Sequence, residues 1–510
     1  MPNPRYDIDN HGRKLDREAA IFSHVDNYPR REILRYEHEV EDRASGQQHI
    51  MARLSNGSAK NWPGGIDILD RPNVLRDVPS KYSLDDSAGS PDESPPAALL
   101  PIPYSWCGVV TSNNRLTPSS HWQDVRQLVI RVGGRVDKNG KVDRLVYKPG
   151  DVAVIYPKNF APDVQALIDL MRWGDVADKQ FEHIPESEDM PCKTPRNCHP
   201  LENSTLRDLL THNYDITCIP RRTFFAEIAH YTEDTTHKER LREFADPGHS
   251  DEFWDYTSRP RRSILEVLQD FPSVRIPYQH IPSVFPVIRG REYSIASGGF
   301  LMEDDRHPNS TVLDLAVALV KYKTVLRKTR QGLSSRYIAS LKPGTKIIIT
   351  IRSNNIPEIT LNPRKPLLLI APGTGIAPIR ALLHHRAAVT RGRNFKGTVE
   401  DLLFYGGRNR TSDFFFQSDW LELDINVVTA FSRDQTSKIY VQDRLLEYSE
   451  EVCKLLRKDC AICLCGSSGK MPEAVRLALY DCMVKGGIAT DREQAKGILH
   501  KDWVFWEEVW

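Results

Sequence analysis

Several short segments carry residues whose types and spacing point to chemistry. GTGIAP (373–378) follows an apolar run and opens a helical pattern. A glycine turn at that place lets backbone amides approach a pyrophosphate, although such turns are commonly structural. AFSRDQTSKIYVQDRL (430–445) begins at the end of another apolar run and gathers Ser432, Arg433, Lys438 and Tyr440 within nine residues. Two cations among hydroxyls can grip a phosphate, the arginine through planar bidentate contacts. Alone the segment reads as a solvated loop; after GTGIAP it points to the 2′-phosphate that separates NADPH from NADH. CGSSGKMP (465–472) places Cys465 at a strand end, where a thiol either lies near a nicotinamide or fills a core.

Two further segments and the terminus complete the set. In REYS (291–294) the alternation of a strand puts Arg291 and Tyr293 on one side. There an arginine can hold a flavin phosphate, Tyr293 can pack on the ring system, and Ser294 can hydrogen-bond near flavin N5. QGLSS (331–335) supplies small residues and hydroxyls before the helical RYIASL, a second helix-terminus site for a pyrophosphate. The last residue, Trp510, reads either as a frayed apolar end or as a ring able to lie over a flavin.

These segments need elements to position them, and the hydrophobic pattern supplies two sets. QLVIRV (127–132), DRLVY (143–147), DVAVIYP (151–157), REYSIAS (291–297), VALVKYKTV (317–325) and TKIIITIR (345–352) read as strands. Between the third and fourth lie helical patterns, including APDVQALIDLMRW (161–173), FFAEIAHYT (224–232), KERLREFA (238–245) and SILEVLQDF (263–271). STLRDLL (204–210) carries a capping signal, Thr205 facing Asp208. A strand set interrupted by helices and then resumed predicts a β-barrel over 104–362 with an all-helical insertion at about 161–272. From 363 to 510, PLLLIAPG, DLLFYGG, INVVTAF and AICLCG alternate with helices, which predicts an α/β doubly wound parallel sheet. Residues 1–103 are polar and expected to be mostly disordered, with one weak amphipathic helix over 28–43 and a Pro/Ser/Asp-rich linker over 78–103.

Composition narrows the function classes. Sixty-nine basic residues against 68 acidic ones give a net charge of +1, no global pull toward nucleic acid or an anionic membrane. No apolar run approaches the ~20 residues of a membrane helix. The first ten residues have neither the basic nor the apolar part of a secretory signal. Nine scattered cysteines do not form a disulfide scaffold, and Cys192, Cys198 and His199 lack a second ligand pair at zinc spacing, so no metal is expected. A reducing, cytoplasmic setting follows.

Taken in order, the barrel strands, helical insertion, R-x-Y-S, G-x-x-S, G-x-G-x-A-P, S-R…K-x-Y, C-G…M-P and terminal aromatic residue resemble the ferredoxin–NADP reductase superfamily. The insertion and Trp510 narrow the resemblance to its diflavin reductase branch. Segments 219–247, 259–274 and 430–442 are most similar to the NADPH-dependent diflavin oxidoreductases of cytosolic iron–sulfur protein assembly. The resemblance spans about 104–510. It implies FAD held by Arg261, Arg291, Glu292, Tyr293, Ser294, Gly332, Leu333, Ser334, Ser335 and Trp510. It implies NADPH held by Thr374, Ser432, Arg433, Lys438, Ile439, Tyr440, Val441 and Gln442, with Ser294, Cys465, Glu508 and Trp510 at the hydride-transfer site. Electrons then pass from NADPH through FAD to a protein acceptor, either an iron–sulfur protein of the cytosolic pathway or a separate FMN protein, in the cytoplasm or in association with mitochondria. Ser334 stands where such proteins usually have cysteine, and the residues before Trp510 also depart from their pattern. Residues 1–103 offer neither a phosphate loop nor a strand–helix alternation for a flavodoxin-like unit, so FMN is not expected here, through loss of that unit or a misassigned start. Two other readings stand beside this one: a non-catalytic FAD-binding scaffold, and a direct one-flavin reductase of a haem or quinone acceptor.

Overall fold

The computed structural model describes residues 97–510 apart from 137, 182–194, 196, 325–328 and 393–399. The expected helix over 28–43, most of the linker and Cys192 lie outside the described residues.

Among the described residues the first lobe is built on ten strands. These are β1 (Trp106–Arg115), β2 (Val125–Gly133), β3 (Arg135–Val136), β4 (Val142–Asp143), β5 (Val152–Ile155), β6 (Arg291–Ser294), β7 (Ser310–Ala318), β8 (Lys321–Lys323), β9 (Thr329–Gln331) and β10 (Lys346–Arg352). Six form one antiparallel sheet in the order β6-β5-β10-β1-β2-β7, and a bridge between Ile295 and Leu315 brings its two edges together into a barrel. Val110, Leu128, Ile130, Ile155, Leu313 and Ile349 fill the interior. Inward positions alternate along each strand, as one buried face requires.

Between β5 and β6 the chain makes the helical insertion, whose core includes Leu167, Leu210, Phe225, Phe244 and Leu268. Helix starts follow the local chemistry. The Thr205 amide donates to Asp208 Oδ2 at 2.9 Å while the Asp208 amide donates to Thr205 Oγ1 at 3.1 Å. Ser263 and Glu266 close the same reciprocal box ahead of Ile264–Asp270.

The second lobe is a five-stranded parallel sheet of β11 (Leu367–Pro372), β12 (Asp401–Gly407), β13 (Asn426–Phe431), β14 (Ala461–Gly466) and β15 (Phe505–Val509). Its order is β13-β12-β11-β14-β15. Sequence order therefore reverses between β11 and β14, and the crevice at their carboxyl ends is where such sheets take ligands. Helices Ile376–Gly392 and Lys470–Lys485 start at those two ends.

Four details of the sequence reading change. DRLVY is not a strand: only Val142–Asp143 pair, while Leu145 and Tyr147 are buried without a ladder. The run over 317–325 breaks after Ala318, resumes as β8 and is not one strand. β1 escapes the sequence reading, because half its residues are polar and a bulge between Val110 and Ser112 breaks its alternation. Phe505–Val509, left unassigned by the sequence pattern, is a paired fifth strand.

Candidate functional site

The crevice between β11 and β14 is shaped by glycine. Gly373 has φ 59°, and a Cβ there would meet nothing within 4 Å, which leaves the turn open to an approaching phosphate. Gly375 has the opposite surroundings: a Cβ would collide with the Cys465 carbonyl group. The two glycines thus join the loop after β11 tightly to the end of β14 while keeping its outer side open. Thr374 stands between them, half-buried.

Strand register places the chemistry. Cys465 on β14 lies opposite Glu508 on β15, and Gly466 lies opposite Val509. The Trp510 amide donates to Gly466 O at 3.2 Å, and the Ser468 amide donates to Trp510 O at 2.7 Å, so the backbone of the last residue is fixed. Its side chain remains about half exposed. From the barrel, the Ser294 hydroxyl donates to Glu508 Oε1. Glu508 therefore links Ser294 of the first lobe to the ladder position beside Cys465 in the second. Burial pushes the Cys465 thiol well above its ordinary value, with the nearby Glu508 carboxyl adding to the effect. Cys465 is thus a neutral donor and not a thiolate. Burial also raises Glu508, against the pull of Ser294, Asn354 and Arg352. Glu508 Oε2 is buried with no hydrogen-bond partner among the described residues.

The remaining barrel residues form a second group. β6 pairs with β5 so that Tyr293 lies opposite Ala153 and Ser294 opposite Val152. The Tyr293 hydroxyl is 2.7 Å from Ser334 Oγ, and Ser335 Oγ accepts from the Val320 amide at 2.8 Å. Gly332 caps the helix Leu333–Ser340, whose first-turn amides have no intrahelical acceptors. Arg291 is half-buried and donates to Arg289 O at 2.7 Å. Glu292 points to the other face and pairs with Arg352 at 2.6 Å. Arg261 follows the π-helical turn Trp254–Ser258 at φ 53°, with its guanidinium 5.3 Å from the ring centre of Tyr322 on β8. Tyr322 escaped the sequence reading. Its signal was slight, one aromatic residue in a short basic hairpin, yet with Arg261 it offers a π-face and a cation to a nucleotide base.

The loop after β13 carries the third group. Its backbone is fixed by the Ser432 amide to Gly407 O (3.0 Å), the Arg433 amide to Arg408 O (2.8 Å) and the Gln435 side chain to Phe431 O (2.6 Å). Lys438 and Tyr440 are exposed, Gln442 is partly exposed and Ile439 is half-buried. Val441 is buried beneath Gly406 and anchors the loop from within the core. The sequence reading also passed over Arg408, a cation directly after the end of β12, the kind of position where α/β sheets bind ligands. Its guanidinium lies 4.1 Å from the ring centre of Trp122, which comes from the barrel. Burial and then the neighbouring Arg433 lower Arg408 to about 10. Such a concentration of positive charge suits a phosphate-bearing ligand.

Among the described residues no group of three or more His, Cys, Asp or Glu side chains is placed to hold a metal, and no helix is long and apolar enough to cross a membrane. Cys198 is buried.

The comparisons agree with this anatomy. Residues 109–337 match the family model described as an FAD binding domain, and residues 369–476 match the oxidoreductase NAD-binding domain. The chain is 41% identical over 449 residues to NADPH-dependent diflavin oxidoreductase 1 of Emericella nidulans, covering 81% of this chain and 67% of that protein. It is 42% identical over 450 residues to the protein of that name from Aspergillus fumigatus, covering 84% of this chain and 67% of the relative. With the Gibberella zeae protein the identity is 40% over 464 residues, covering 88% and 73%. At 40–42% identity over 67–73% of the length of these relatives, and with both cofactor-binding domains matched, the chain belongs to the NADPH-dependent diflavin oxidoreductase family and is an oxidoreductase.

Proposed function

We propose that the chain accepts reducing equivalents from NADPH and delivers them through FAD to a protein acceptor in cytosolic iron–sulfur cluster assembly. The reading rests on one observation above the others: the Ser294 hydroxyl of the barrel donates to Glu508, which lies opposite Cys465 in the parallel sheet. Bound FAD supplies a two-electron acceptor that can release electrons one at a time. The protein supplies the placement. Gly332–Ser335 with Arg291 and Arg261 would hold the FAD, and Tyr322 would take its base. Arg433 and Lys438, backed by Arg408, would hold the phosphate that distinguishes NADPH from NADH. At the junction Glu508 fixes the Ser294 hydroxyl and keeps Oε2 free to accept from an incoming polar group. Cys465 stays protonated and thus available as a weak donor. The Trp510 side chain, half exposed on a fixed backbone, would have to clear the site before a second ring could stack there.

The test uses purified protein with FAD bound. Flavin bleaching is followed after mixing with NADPH or NADH, and ferricyanide and cytochrome c are then offered separately. Rapid bleaching by NADPH in preference to NADH, with ferricyanide turnover, supports the reading. Bound FAD that NADPH does not bleach overturns it and leaves the scaffold reading in its place.

A further inference from the structure

The site is divided between two lobes, so something must hold those lobes in register. The helix Ile376–Gly392, which begins directly after the GTG turn, carries Arg380, only 5% exposed. Its Nη1 donates to Asp314 Oδ2 on β7 at 2.7 Å and to Ala296 O at 3.1 Å, both in the barrel. Its Nε donates to Asp419 Oδ2 at 2.6 Å in the second lobe, and its guanidinium lies 4.2 Å from the ring centre of Phe416. One buried cation therefore grips carboxylates from both lobes.

The barrel side of this grip is itself braced. Gln127 Nε2 donates to Asp314 Oδ2 at 2.5 Å, the Asp314 amide donates to Ser297 Oγ at 3.0 Å, and the Ala296 amide donates to Asp314 O at 2.7 Å. The Tyr147 hydroxyl lies 2.6 Å from Ser297 Oγ. Around the arginine the surfaces meet through small residues, Ala296 and Ala316 against Ala377. Beyond them Gly298 and Gly299 rest on the helix backbone, where a Cβ on Gly298 would collide with the Ala381 carbonyl and one on Gly299 with that of His384. Such contacts admit no sliding without breaking. The grip is also close to the chemistry in both lobes. Ala296 is two residues from Ser294, and the helix bearing Arg380 starts directly after Gly375, which abuts Cys465.

We infer that Arg380 is a positioning residue: it locks the segment Ser294–Gly299 to the helix Ile376–Gly392 and so holds Ser294 in register with Cys465 and Glu508. The inference rests on the proposed NADPH-to-FAD reaction. A shift of about 1 Å between reacting partners costs on the order of 10²-fold in rate, so a loosened lock is expected to show in the transfer step and not in binding.

The experiment uses the full chain with FAD bound, comparing the parent with Arg380→Leu, Arg380→Lys and Asp314→Asn. Expected for Arg380→Leu is a limiting NADPH bleaching rate at least about 10-fold lower, with FAD content unchanged, NADPH Kd within about 3-fold and unaltered oxidation of dithionite-reduced protein by ferricyanide. Amide hydrogen exchange is expected to rise over 295–299 and 376–386 and not in β1 or β2. Lysine keeps the charge but cannot bridge both carboxylates, so it should fall between parent and leucine. If the leucine variant does not fold, Asp314→Asn carries the test, with a loss of about 3-fold or more. A bleaching rate within about 2-fold of the parent, or exchange that rises throughout the chain, overturns the inference. A parent that NADPH does not bleach instead refutes the proposed reaction, and the exchange measurement still reports on the lock.

Discussion

Arg386 offers the most quantitative test of how the second lobe is held. It is 2% exposed and fully engaged. Its Nη2 and Nε reach Asp401 at 3.0 and 3.2 Å, Nη1 donates to Thr360 O at 2.8 Å and Asn362 O at 2.6 Å, and Nη2 also donates to Lys365 O at 2.8 Å. The residue thus staples the connector between the lobes to the first strands of the parallel sheet. Replacing it by leucine leaves the buried Asp401 carboxyl without its charged partner and resting on the Leu367 amide, which donates to it at 3.0 Å. Breaking a buried pair on one side costs about 3–5 kcal/mol. For a lobe of this size that loss lowers Tm by roughly 6–20 °C.

The pH dependence sharpens the test. Burial pushes Asp401 up to about 6, and Arg386 opposes that rise. A carboxyl whose folded pKa is raised favours the protonated folded state, so its cost is absent at low pH and grows as pH rises through the folded value. Without Arg386 the carboxyl rises further, and the deficit of Arg386→Leu should shrink between pH 8 and pH 5. Urea unfolding followed by circular dichroism at both pH values measures this. The double variant Arg386→Leu/Asp401→Leu should recover a large part of the loss, since removing both partners leaves no orphaned charge. A single-variant loss under about 1 kcal/mol, or a double variant as unstable as the sum of the singles, would refute the reasoning.

Other outcomes follow from the same geometry. Gly375→Ala should cost about 1–3 kcal/mol or more and impair nicotinamide nucleotide binding, because its Cβ collides with backbone at Cys465; urea midpoints and nucleotide titration measure the two effects. Arg433→Ala should raise the NADPH KM about 10- to 100-fold and leave the NADH KM nearly unchanged; an equal rise for both would remove Arg433 from the phosphate site. Glu508→Gln should slow flavin bleaching yet be no less stable than the parent at pH 8. The raised carboxyl of the parent carries a cost above its folded pKa that glutamine lacks, so the stability difference should disappear toward pH 4, as thermal unfolding at both pH values would show.

Much of the architecture was legible because the local signals agreed with one another. β11, β12, β13 and β14 are short, largely apolar runs, and a strand buried on both faces must be apolar along most of its length. The box at Thr205 depends on residues three apart and needs no tertiary knowledge. Reading failed where partners were remote. Leu145 and Tyr147 look like alternate positions of a strand, but they are buried by the barrel interior and by hydrogen bonds from Tyr147 to residues around 297 and 312. The apolar continuity across 317–325 misled in the same way, since Val317 belongs to the long strand β7 at one edge of the barrel sheet and Tyr322 to a separate hairpin.

The site shows the same division between local and remote information. Glycine turns, cations after strands and the R-x-Y-S alternation are written in adjacent residues, which is why each was visible alone yet ambiguous. Their meaning depends on the pairing of β15 with β14, which no local pattern announces: FWEEV has two consecutive acids in its middle, and acids are poor strand formers. One of them, Glu507, faces Arg476 at 2.6 Å and is satisfied there. The other alternates to the opposite side, meets Ser294 and lies beside Cys465. The unfavourable strand chemistry of the tail is thus tolerated because each acid has a use, one as an ion pair that secures the strand and one as the carboxyl that joins the lobes.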